Sequence, residues 1–542
     1  MIISKEQLIN GQTLNADVCI IGGGPAAISV ALSFISSAYK VIVVTGGDWC
    51  QTKGNRNLYK GEVWPLNSHE QPEKMRRRQF GGGSAVWAGR CVPFDPIDFK
   101  YRPWVQDSGW PVSYEDMLPY YHRSAEICQI GAFLFEAQDV FPTRQREIIP
   151  GLDNQDFVSN RLERYSSPIN FAKAYKEQLE QSSNIQVLLD CHALNLQMLQ
   201  GAENVTNLVV AAGTARINVA AGRYVLAAGG IENARLLLAS SNEYFPTGIG
   251  NQHDNVGRYY MTHIAGTYLK VNPANRQHIL FDYEQDKLGI FCRRRWWIPE
   301  QAQEDRELLN MIFYLSYPEI PEAAKNPLSF AVRSAVKQIT EVTGFRRFLR
   351  RQIQAKGKIP EGLERIYNIG LPALLPSKKS KYWGLFFSAE HVPNRESRIS
   401  LSQTQKDAFG MPRVEVHVAF KEIDVESLVQ AHNLFAERFR QKKAGEILYS
   451  EEGFRQYLQQ RLENFNSYAH QMGTTRMSED PRTGVVDRNA KVYGLENLFV
   501  AGSSTFPTGG HANPTVTVVA QALMLADHLK QSLKCRYHHL VI

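Results

Sequence analysis

Short apolar runs near the start of this chain alternate with helical patterns and predict strands separated by helices. The run Asp17–Ile21 ends at three consecutive glycines, which is typical of a buried strand entering a tight turn. A helical pattern and a second apolar run follow, and that run ends in "VVTGGD" at residues 43–48. Residues 223–240 repeat the order, with a strand, a turn of small residues and a helix. This order predicts an α/β fold.

A C-terminal helix is predicted where apolar residues recur at helical spacing over residues 516–529. Pro514 suits its first turn, and Asn513 stands where a capping residue belongs. Two glycines and His511 precede this pair. Two interpretations are open: a capped core helix, or a helix whose N-terminus faces a negatively charged group.

The middle of the chain is basic. Between residues 325 and 381 there are thirteen Lys or Arg residues and three Glu residues. Within this segment, apolar residues over 329–353 fall near one face of a helix. Such a helix suits an anionic membrane surface or an acidic partner protein. We favour the other interpretation, a lid or an oligomer contact with a solvated basic face.

Composition limits the class of protein. The 542 residues have room for two or more domains, and 43% hydrophobic with 21% charged residues is ordinary for a soluble protein. No apolar run approaches the roughly 18–20 residues of a membrane span, and the first residues lack a signal-peptide pattern. We therefore expect a cytoplasmic protein.

The seven cysteines are scattered without the spacing of a metal or redox motif, so we predict reduced thiols and no metal site. The basic residues are local and come without a nucleic-acid-binding motif, so no nucleic-acid partner is predicted.

The glycines after the first strand fit a dinucleotide-binding turn. Gly22, Gly24 and Ala27 match the pattern G-x-G-x-x-G/A between a strand and a helix, which is the context that supports it. A diphosphate can rest on backbone N–H groups at the positive end of that helix. The other interpretation is that the glycines only make a tight turn.

Thr45 stands where a carboxylate that binds ribose is expected. Its hydroxyl can still bind a ribose hydroxyl, and Asp48 lies three residues further on. No arginine stands beside Thr45 in the sequence to pair with a 2′-phosphate. Residues 76–90 form a second glycine-rich turn, and with 223–240 they are predicted to contact the cofactor, although either is also common as α/β scaffolding.

Three long stretches near the C-terminus are "AHQMGTTRM", "GVVDRNAKVYGLENLFVAGSSTFPT" and "GGHANPTVTVVAQALMLADHL". They closely resemble the C-terminal motifs of one enzyme family, the glucose–methanol–choline (GMC) oxidoreductases. The branch with pyranose oxidase, C-glycoside oxidases and sugar dehydrogenases is similar to "FGGGSAVWAG", "SGWPVSYEDMLPYYHRSAE" and residues 390–412.

The resemblance implies an α/β fold with a Rossmann-like FAD-binding domain and an α+β substrate domain built on an antiparallel sheet. We predict the first domain at 1–110, 180–262 and 466–542. The second is predicted at 111–179 and 263–465, and it includes the basic insertion at 325–381.

The resemblance also implies which residues bind the cofactor. These are Gly22, Gly24, Pro25, Ala26, Thr45, Gly82, Gly83, Ser84, Gly229, Asn233, Gly502, Ser503, Asn513, Pro514 and Thr515. In this family the helix after "NPT" points its N-terminus at the pyrimidine end of the flavin, where reduction places negative charge. Pyranose oxidase has a histidine bonded to its flavin where this chain has Val86, so we predict non-covalent FAD.

Oxidation of an alcohol requires a base for the hydroxyl proton and a partner for the developing alkoxide, while a hydride passes from the same carbon to flavin N5. His470 matches the family's catalytic histidine, and Asn513 matches its partner. The other interpretation of His470 is an ordinary buried histidine. His511 is a secondary candidate that faces the substrate, the flavin or solvent.

We therefore predict FAD-dependent oxidation of an alcohol, with a secondary hydroxyl of a sugar or glycoside as the substrate group. One alternative is a dehydrogenase that acts on a non-sugar alcohol and passes electrons to a quinone or a protein instead of oxygen. Another is a lyase without net redox chemistry, and a third is a binding protein that lacks flavin. A homo-oligomer is compatible with all of them.

Overall fold

The structure is a computed structural model, and it describes most of the chain. The described residues are 1–144, 147–166, 169–199, 203–316, 381–464 and 470–539, with side chains as far as residue 534. The predicted basic segment 325–381 lies outside these ranges except for Lys381, and so does the amphipathic pattern at 329–353.

Nineteen strands and thirteen helices form from the described residues. The strands are β1 (Ile2–Ser4), β2 (Thr13–Ile21), β3 (Val41–Val44), β4 (Gly61–Trp64), β5 (Arg90–Cys91), β6 (Val158–Tyr165), β7 (Ile185–Leu189), β8 (Cys191–Met198), β9 (Val205–Ala212), β10 (Ala215–Leu226), β11 (His263–Pro273), β12 (Glu284–Gln285), β13 (Phe291–Trp297), β14 (Met311–Leu315), β15 (Trp383–Glu390), β16 (Arg398–Lys406), β17 (Pro412–His417), β18 (Gly445–Leu448) and β19 (Leu498–Val500). The helices are α1 (Pro25–Ser33), α2 (Lys53–Asn57), α3 (Pro72–Met75), α4 (Pro96–Phe99), α5 (Tyr114–Ile127), α6 (Ala137–Val140), α7 (Phe171–Ala174), α8 (Lys176–Gln181), α9 (Glu232–Ala239), α10 (Glu300–Arg306), α11 (Glu422–Gln441), α12 (Glu451–Glu463) and α13 (Thr515–His539).

The first sheet carries the predicted nucleotide-binding turn. Its strand order is β1-β7-β3-β2-β10-β9-β8, with β19 beside β10. Strand β2 pairs in parallel with β3 on one side and β10 on the other, so the carboxyl ends of these strands meet at one edge. The predicted strand at residues 17–21 is the buried end of β2, which starts earlier at Thr13.

Helices α1 and α13 pack against each other beside the first sheet, because both present long apolar faces. Val516 and Val519 of α13 are fully buried in this core. Helix α5, which we placed in the substrate domain, packs against α13 through Met117 and Tyr121 in the same core. The domain boundaries themselves stay a prediction.

The second sheet is antiparallel, and its strand order is β18-β11-β15-β14-β13-β6-β5, with β12 beside β13. Its back face packs on α11, where Trp296 and Phe313 contact the ring of Phe435. Since side chains alternate along β13, Arg293 and Arg295 point to the opposite face. The predicted fold class is confirmed: a Rossmann-like domain is combined with a domain built on an antiparallel sheet.

Strands β16, β17 and β4 form a third, smaller sheet. Within the described ranges, no helix combines the length and the apolar character that crossing a membrane requires.

Candidate active site

The turn after β2 presents bare backbone to an open cavity. Gly22 has a φ of +137°, and a Cβ there would overlap the carbonyl group of Ala227, so the position requires glycine. Gly24 lies directly before Pro25 at the start of α1, and a Cβ on Gly24 would meet no atom within 4 Å. The open side of the turn therefore faces the space at the N-terminus of α1, where a diphosphate binds favourably.

The second glycine turn, at residues 81–84, lies directly on the first. The N–H of Gly81 donates to the carbonyl oxygen of Gly23 at 2.7 Å. A Cβ on Gly82 would lie 3.0 Å from the Cα of Gly24, while a Cβ on Gly83 would meet no atom within 4 Å. The two turns together form a backbone cradle that a flat or diphosphate-bearing ligand can approach closely.

A cavity of about 480 Å³ follows this cradle, and it gathers most of the predicted site residues. The predicted residues that line it are Gly22, Gly24, Pro25, Ala26, Thr45, Gly82, Gly83, Ser84, Gly229, His470, Gly502, Ser503, Asn513, Pro514 and Thr515. Asn233 and His511 lie outside the lining.

Asn233 is fully buried behind the cavity wall. Its Oδ1 accepts a hydrogen bond from the N–H of Ala228 at 2.8 Å, and its Nδ2 donates to Ser504 Oγ at 2.9 Å. These bonds tie the turn before α9 to the turn after β19. Asn233 therefore holds two parts of the cavity wall together without lining it.

No arginine stands beside Thr45 in the sequence, but the structure brings one to the next residue, Gly46. Thr45 is buried with its hydroxyl against Gly23, and Arg78 Nε donates to the carbonyl oxygen of Gly46 at 3.1 Å. Arg78 lies 33 residues along the chain from Thr45, and only the packing of the second glycine turn on the first joins them.

A charged cluster lines the same end of the cavity, and the sequence analysis missed it. Glu232 binds Arg76 Nη1 at 2.6 Å and Arg78 Nη1 at 3.3 Å, and these three residues all line the cavity. Burial alone would raise the pKa of Glu232, but Arg235 and the other two arginines lower it to about 2. The run "RRRQF" was the available signal, yet its partner carboxylate lies on a distant helix.

The predicted catalytic pair meets on the cavity wall. Asn513 Nδ2 donates to His470 Nε2 at 3.1 Å, and His470 Nδ1 lies 2.8 Å from Nδ1 of His263. Burial, and secondarily the positive charge of Arg90, lowers the pKa of His470 to about 3. His470 is therefore neutral at physiological pH, as a base for a hydroxyl proton must be.

The start of α13 corrects the predicted capping role of Asn513. The helix begins at Thr515, and the carbonyl oxygen of Pro514 accepts the first helical bond from the N–H of Val518 at 2.8 Å. Pro514 thus occupies the cap position, and the Asn513 amide turns to His470 instead. Asn513 Oδ1 is buried and has no partner within the described residues.

His511 faces none of the three surroundings that the sequence left open. It is fully buried, with Nε2 3.0 Å from Asp95 Oδ2 and 3.0 Å from Arg295 Nη1. Burial, followed by the charge of Arg295, lowers the pKa of His511 to about 4. Its contacts anchor the loop that carries Asn513 to the second sheet.

The second sheet adds polar groups to the cavity wall. Arg90 of β5 lines the cavity and pairs with the carboxylate of Glu163 on β6. Glu163 also binds Arg293 at 2.7 Å and accepts from the hydroxyl of Tyr165 at 2.8 Å. Burial opposes the charge of Glu163, but Arg293 and Arg90 lower its pKa to about 2.

The residues around this cavity fit FAD. Gly24 and Gly83 leave open space where any other residue would place a side chain. Gln471 Nε2 and Asn513 Oδ1 are buried polar atoms without a partner in the described part of the protein, and both residues line the cavity. A ligand with a diphosphate and a flat ring that both donates and accepts hydrogen bonds would satisfy all four positions. Across the described segments, no group of three or more His, Cys, Asp or Glu residues is placed to hold a metal ion.

Comparison with known proteins gives concordant results. Residues 393–522 match the family model described as GMC oxidoreductase. The fructose dehydrogenase large subunit of Gluconobacter japonicus is 23% identical over 97% of this chain and 100% of its own. The 2-methyl-1,2-propanediol dehydrogenase of Mycolicibacterium austroafricanum is 22% identical over 95% of each chain. Among solved structures, pyridoxine 4-oxidase from Mesorbium loti has a TM-score of 0.58 at 16% identity, covering 97% of this chain and 99% of that one.

Proposed function

The chain belongs to the GMC oxidoreductase family, and from this premise we propose that it oxidises a secondary hydroxyl of a sugar or glycoside. It is an FAD-dependent oxidoreductase that acts on CH–OH groups. The observation that carries the proposal is the His470–Asn513 pair, 3.1 Å apart on the wall of the cavity that the glycine cradle also lines.

His470 takes the hydroxyl proton at Nε2, the ring nitrogen that faces Asn513. Asn513 has two amide protons, and one remains for the substrate oxygen when the other is bound to His470. Bound FAD supplies the acceptor for the hydride that leaves the same carbon. The N-terminus of α13, two residues beyond Asn513, adds a positive electrostatic potential to this part of the cavity.

We propose that FAD is held without a covalent bond. The turn at 22–24 suits the diphosphate, and the turn at 82–84 and residues 513–515 suit the ring system. Val86 lines the cavity and is 51% exposed, but its aliphatic side chain has no group that could bond to a flavin.

A sugar or glycoside as substrate is supported by two features. The fructose dehydrogenase subunit, which matches over its whole length, is named for a sugar. Arg90 on the cavity wall is held by the buried Glu163, which also accepts from the Tyr165 hydroxyl, and a guanidinium pairs readily with sugar hydroxyls.

The second candidate is a dehydrogenase that acts on a non-sugar alcohol with a quinone or a redox protein as electron acceptor. The relative named for 2-methyl-1,2-propanediol supports it. The reaction at His470 is the same in both cases, so the substrate and the acceptor distinguish them. A cytoplasmic location, a homo-oligomer and a membrane or acidic-partner contact through 325–381 remain proposals that rest on the sequence.

Anaerobic titration of the purified flavoprotein with sugars, glycosides and small diols tests the proposal. We expect the flavin absorbance near 450 nm to bleach with a sugar or glycoside, at a rate roughly 100-fold or more above that of His470→Ala. His470→Ala should keep its flavin, because the residue lies beyond the glycine cradle. Acid precipitation should leave the flavin in the supernatant.

Bleaching by diols alone would favour the second candidate. A flavin that no alcohol reduces, or a His470→Ala variant as fast as the wild type, would contradict the proposal. Flavin that stays with the precipitate would refute non-covalent attachment.

A further inference from the structure

His263 is the first residue of β11, and no sequence motif marks it. It is 1% exposed and pairs across the sheet with Glu390 of β15. Its ring meets that of His470 edge to face, with the centroids 4.9 Å apart. Its two ring nitrogens have different neighbours: Nδ1 lies 2.8 Å from His470 Nδ1, and Nε2 lies 3.3 Å from the carbonyl oxygen of Gly509.

The carbonyl oxygen of Gly509 determines where the protons lie in this chain of hydrogen bonds. A carbonyl oxygen can only accept, so Nε2 of His263 must carry a proton and donate it. A neutral imidazole has one N–H, which leaves Nδ1 of His263 as an acceptor. Burial, and next the neighbouring His470, lowers the pKa of His263 well below its ordinary value, so its ring is neutral.

The same rule then determines the tautomer of His470. Because Nδ1 of His263 accepts, Nδ1 of His470 must donate across the 2.8 Å contact. His470 is neutral too, so its Nε2 has a free lone pair. The contact of Asn513 Nδ2 with His470 Nε2 at 3.1 Å fits this tautomer, because the Nε2 lone pair accepts the amide proton.

We propose that His263 is a positioning residue, which holds His470 in the tautomer whose Nε2 is free to take the substrate proton. This inference rests on the proposed function, in which His470 is the base. In the opposite tautomer, two lone pairs would face each other at Nδ1. After His470 takes a proton, its Nδ1–H becomes a donor from a cation, and such bonds are roughly twice as strong as neutral ones.

The loop at 509–513 contacts both histidines of this chain of hydrogen bonds. The carbonyl oxygen of Gly509 keeps the proton of His263 on Nε2, and the amide of Asn513 binds Nε2 of His470. The other charged or titratable groups around His263 are Arg90, His511 and Glu390, and the carboxylate of Glu390 is bound to Arg102 at 2.6 and 2.7 Å. None of these three holds the Nδ1 proton of His470 in the described structure.

Three substitutions separate positioning from packing. His263→Leu keeps an apolar side chain but removes the acceptor, and we expect kcat to fall roughly 10- to 100-fold with KM changed less than about threefold. His263→Asn places an amide oxygen where Nδ1 was, and we expect it to keep kcat within roughly fivefold of the wild type. His263→Asp places a carboxylate there and should raise the pKa of His470, so the acid limb of kcat/KM moves up by roughly one pH unit or more.

Flavin content and melting temperature of each holoenzyme show whether it is folded. If His263→Leu stays within about threefold of the wild-type kcat, the inference is wrong. It is equally wrong if all three variants lose activity alike and the acid limb of His263→Asp does not move, because that is the result of lost packing. If His263→Leu does not fold, the comparison of His263→Asn with His263→Asp still tests whether His263 positions His470.

A direct measurement separates this inference from the proposed function. In holoenzyme labelled with ¹⁵N histidine, the shifts of the two ring nitrogens report which one carries the proton, and His470→Gln assigns the signals. We expect His470 to be protonated at Nδ1 in the wild type and to show both tautomers in His263→Leu. A wild-type signal for protonated Nε2 would overturn the inference, whether or not any alcohol is a substrate.

Discussion

A histidine that accepts a proton must be neutral at the pH of turnover, and His470 meets this condition through its surroundings. Burial, with the charge of Arg90, lowers its pKa to about 3. The neighbouring His263 is neutral, so it orients the ring without adding a charge to its surroundings. Sequence motifs pointed to His470 and Asn513, whereas the third residue in the chain of hydrogen bonds, His263, lies 207 residues from His470.

The pH dependence of kcat/KM tests the state of this residue. The neutral form is the active one, so activity is lost only as pH falls toward the lowered pKa. We expect no acid limb from His470 above roughly pH 5, about two units above that pKa. The measurement is kcat/KM between pH 4 and 9 on a substrate without titratable groups. An acid limb near pH 6.5, the ordinary histidine value, would contradict the burial argument.

At the scale of helices and strands, two glycine turns determine where the cofactor fits. The turn between β2 and α1 and the turn at 81–84 touch each other through Gly81 and Gly82, and the glycines of both turns present bare backbone to the cavity. Helix α13 brings residues 513–515 to the same cavity from the other end of the chain. Since helix N-termini attract anions, α1 and α13 both favour a ligand that carries negative charge.

A side chain at Gly24 should block the cofactor and spare the fold. The space beside its Cα is open, since a Cβ there meets no protein atom within 4 Å, so the side chain of Gly24→Val enters the volume that FAD requires. We expect FAD affinity of the stripped protein to fall by roughly tenfold or more, or about 1.4 kcal/mol, as measured by flavin fluorescence quenching. The melting temperature of the flavin-free protein should stay close to that of the wild type.

Gly54→Ala is the matched control, because a Cβ there lies 3.7 Å from Thr52 Oγ1 and outside the cavity lining. It should bind FAD as the wild type does. Unchanged FAD affinity in Gly24→Val would mean that the cofactor does not approach this turn.

In the whole molecule, the active site lies where two separate cores meet. The first core surrounds β2 and α13, and the second lies between the antiparallel sheet and α11. Arg102 lies between Phe99 and Trp110 of the first core, and Glu390 ends β15 of the second sheet. The two form a bidentate pair at 2.6 and 2.7 Å, with side chains 1% and 0% exposed.

Breaking this pair should destabilise the whole protein. Arg102→Met leaves the carboxylate of Glu390 buried without its partner, and we expect the free energy of unfolding in urea to fall by about 3–5 kcal/mol. Glu390→Gln, which leaves the buried guanidinium without its counter-charge, should show a similar loss. The double variant Arg102→Met/Glu390→Leu should recover much of it, because both charges are gone. Additive losses in the double variant would show that the pair has no mutual coupling.

The sequence by itself predicted the α/β class and the dinucleotide turn, and its resemblance to the GMC oxidoreductases implied the flavin and the pair His470–Asn513. These features are encoded in contiguous stretches, in which residue spacing and glycine positions determine the local backbone directly. Only the tertiary structure decided that Arg78 contacts Gly46 next to Thr45, that His511 is buried away from the cavity, and that His263 meets His470. Each of these contacts joins chain segments far apart in sequence, and it depends on strand register and on how the turns pack together. Strand register and the packing of turns cannot be predicted from a local sequence pattern.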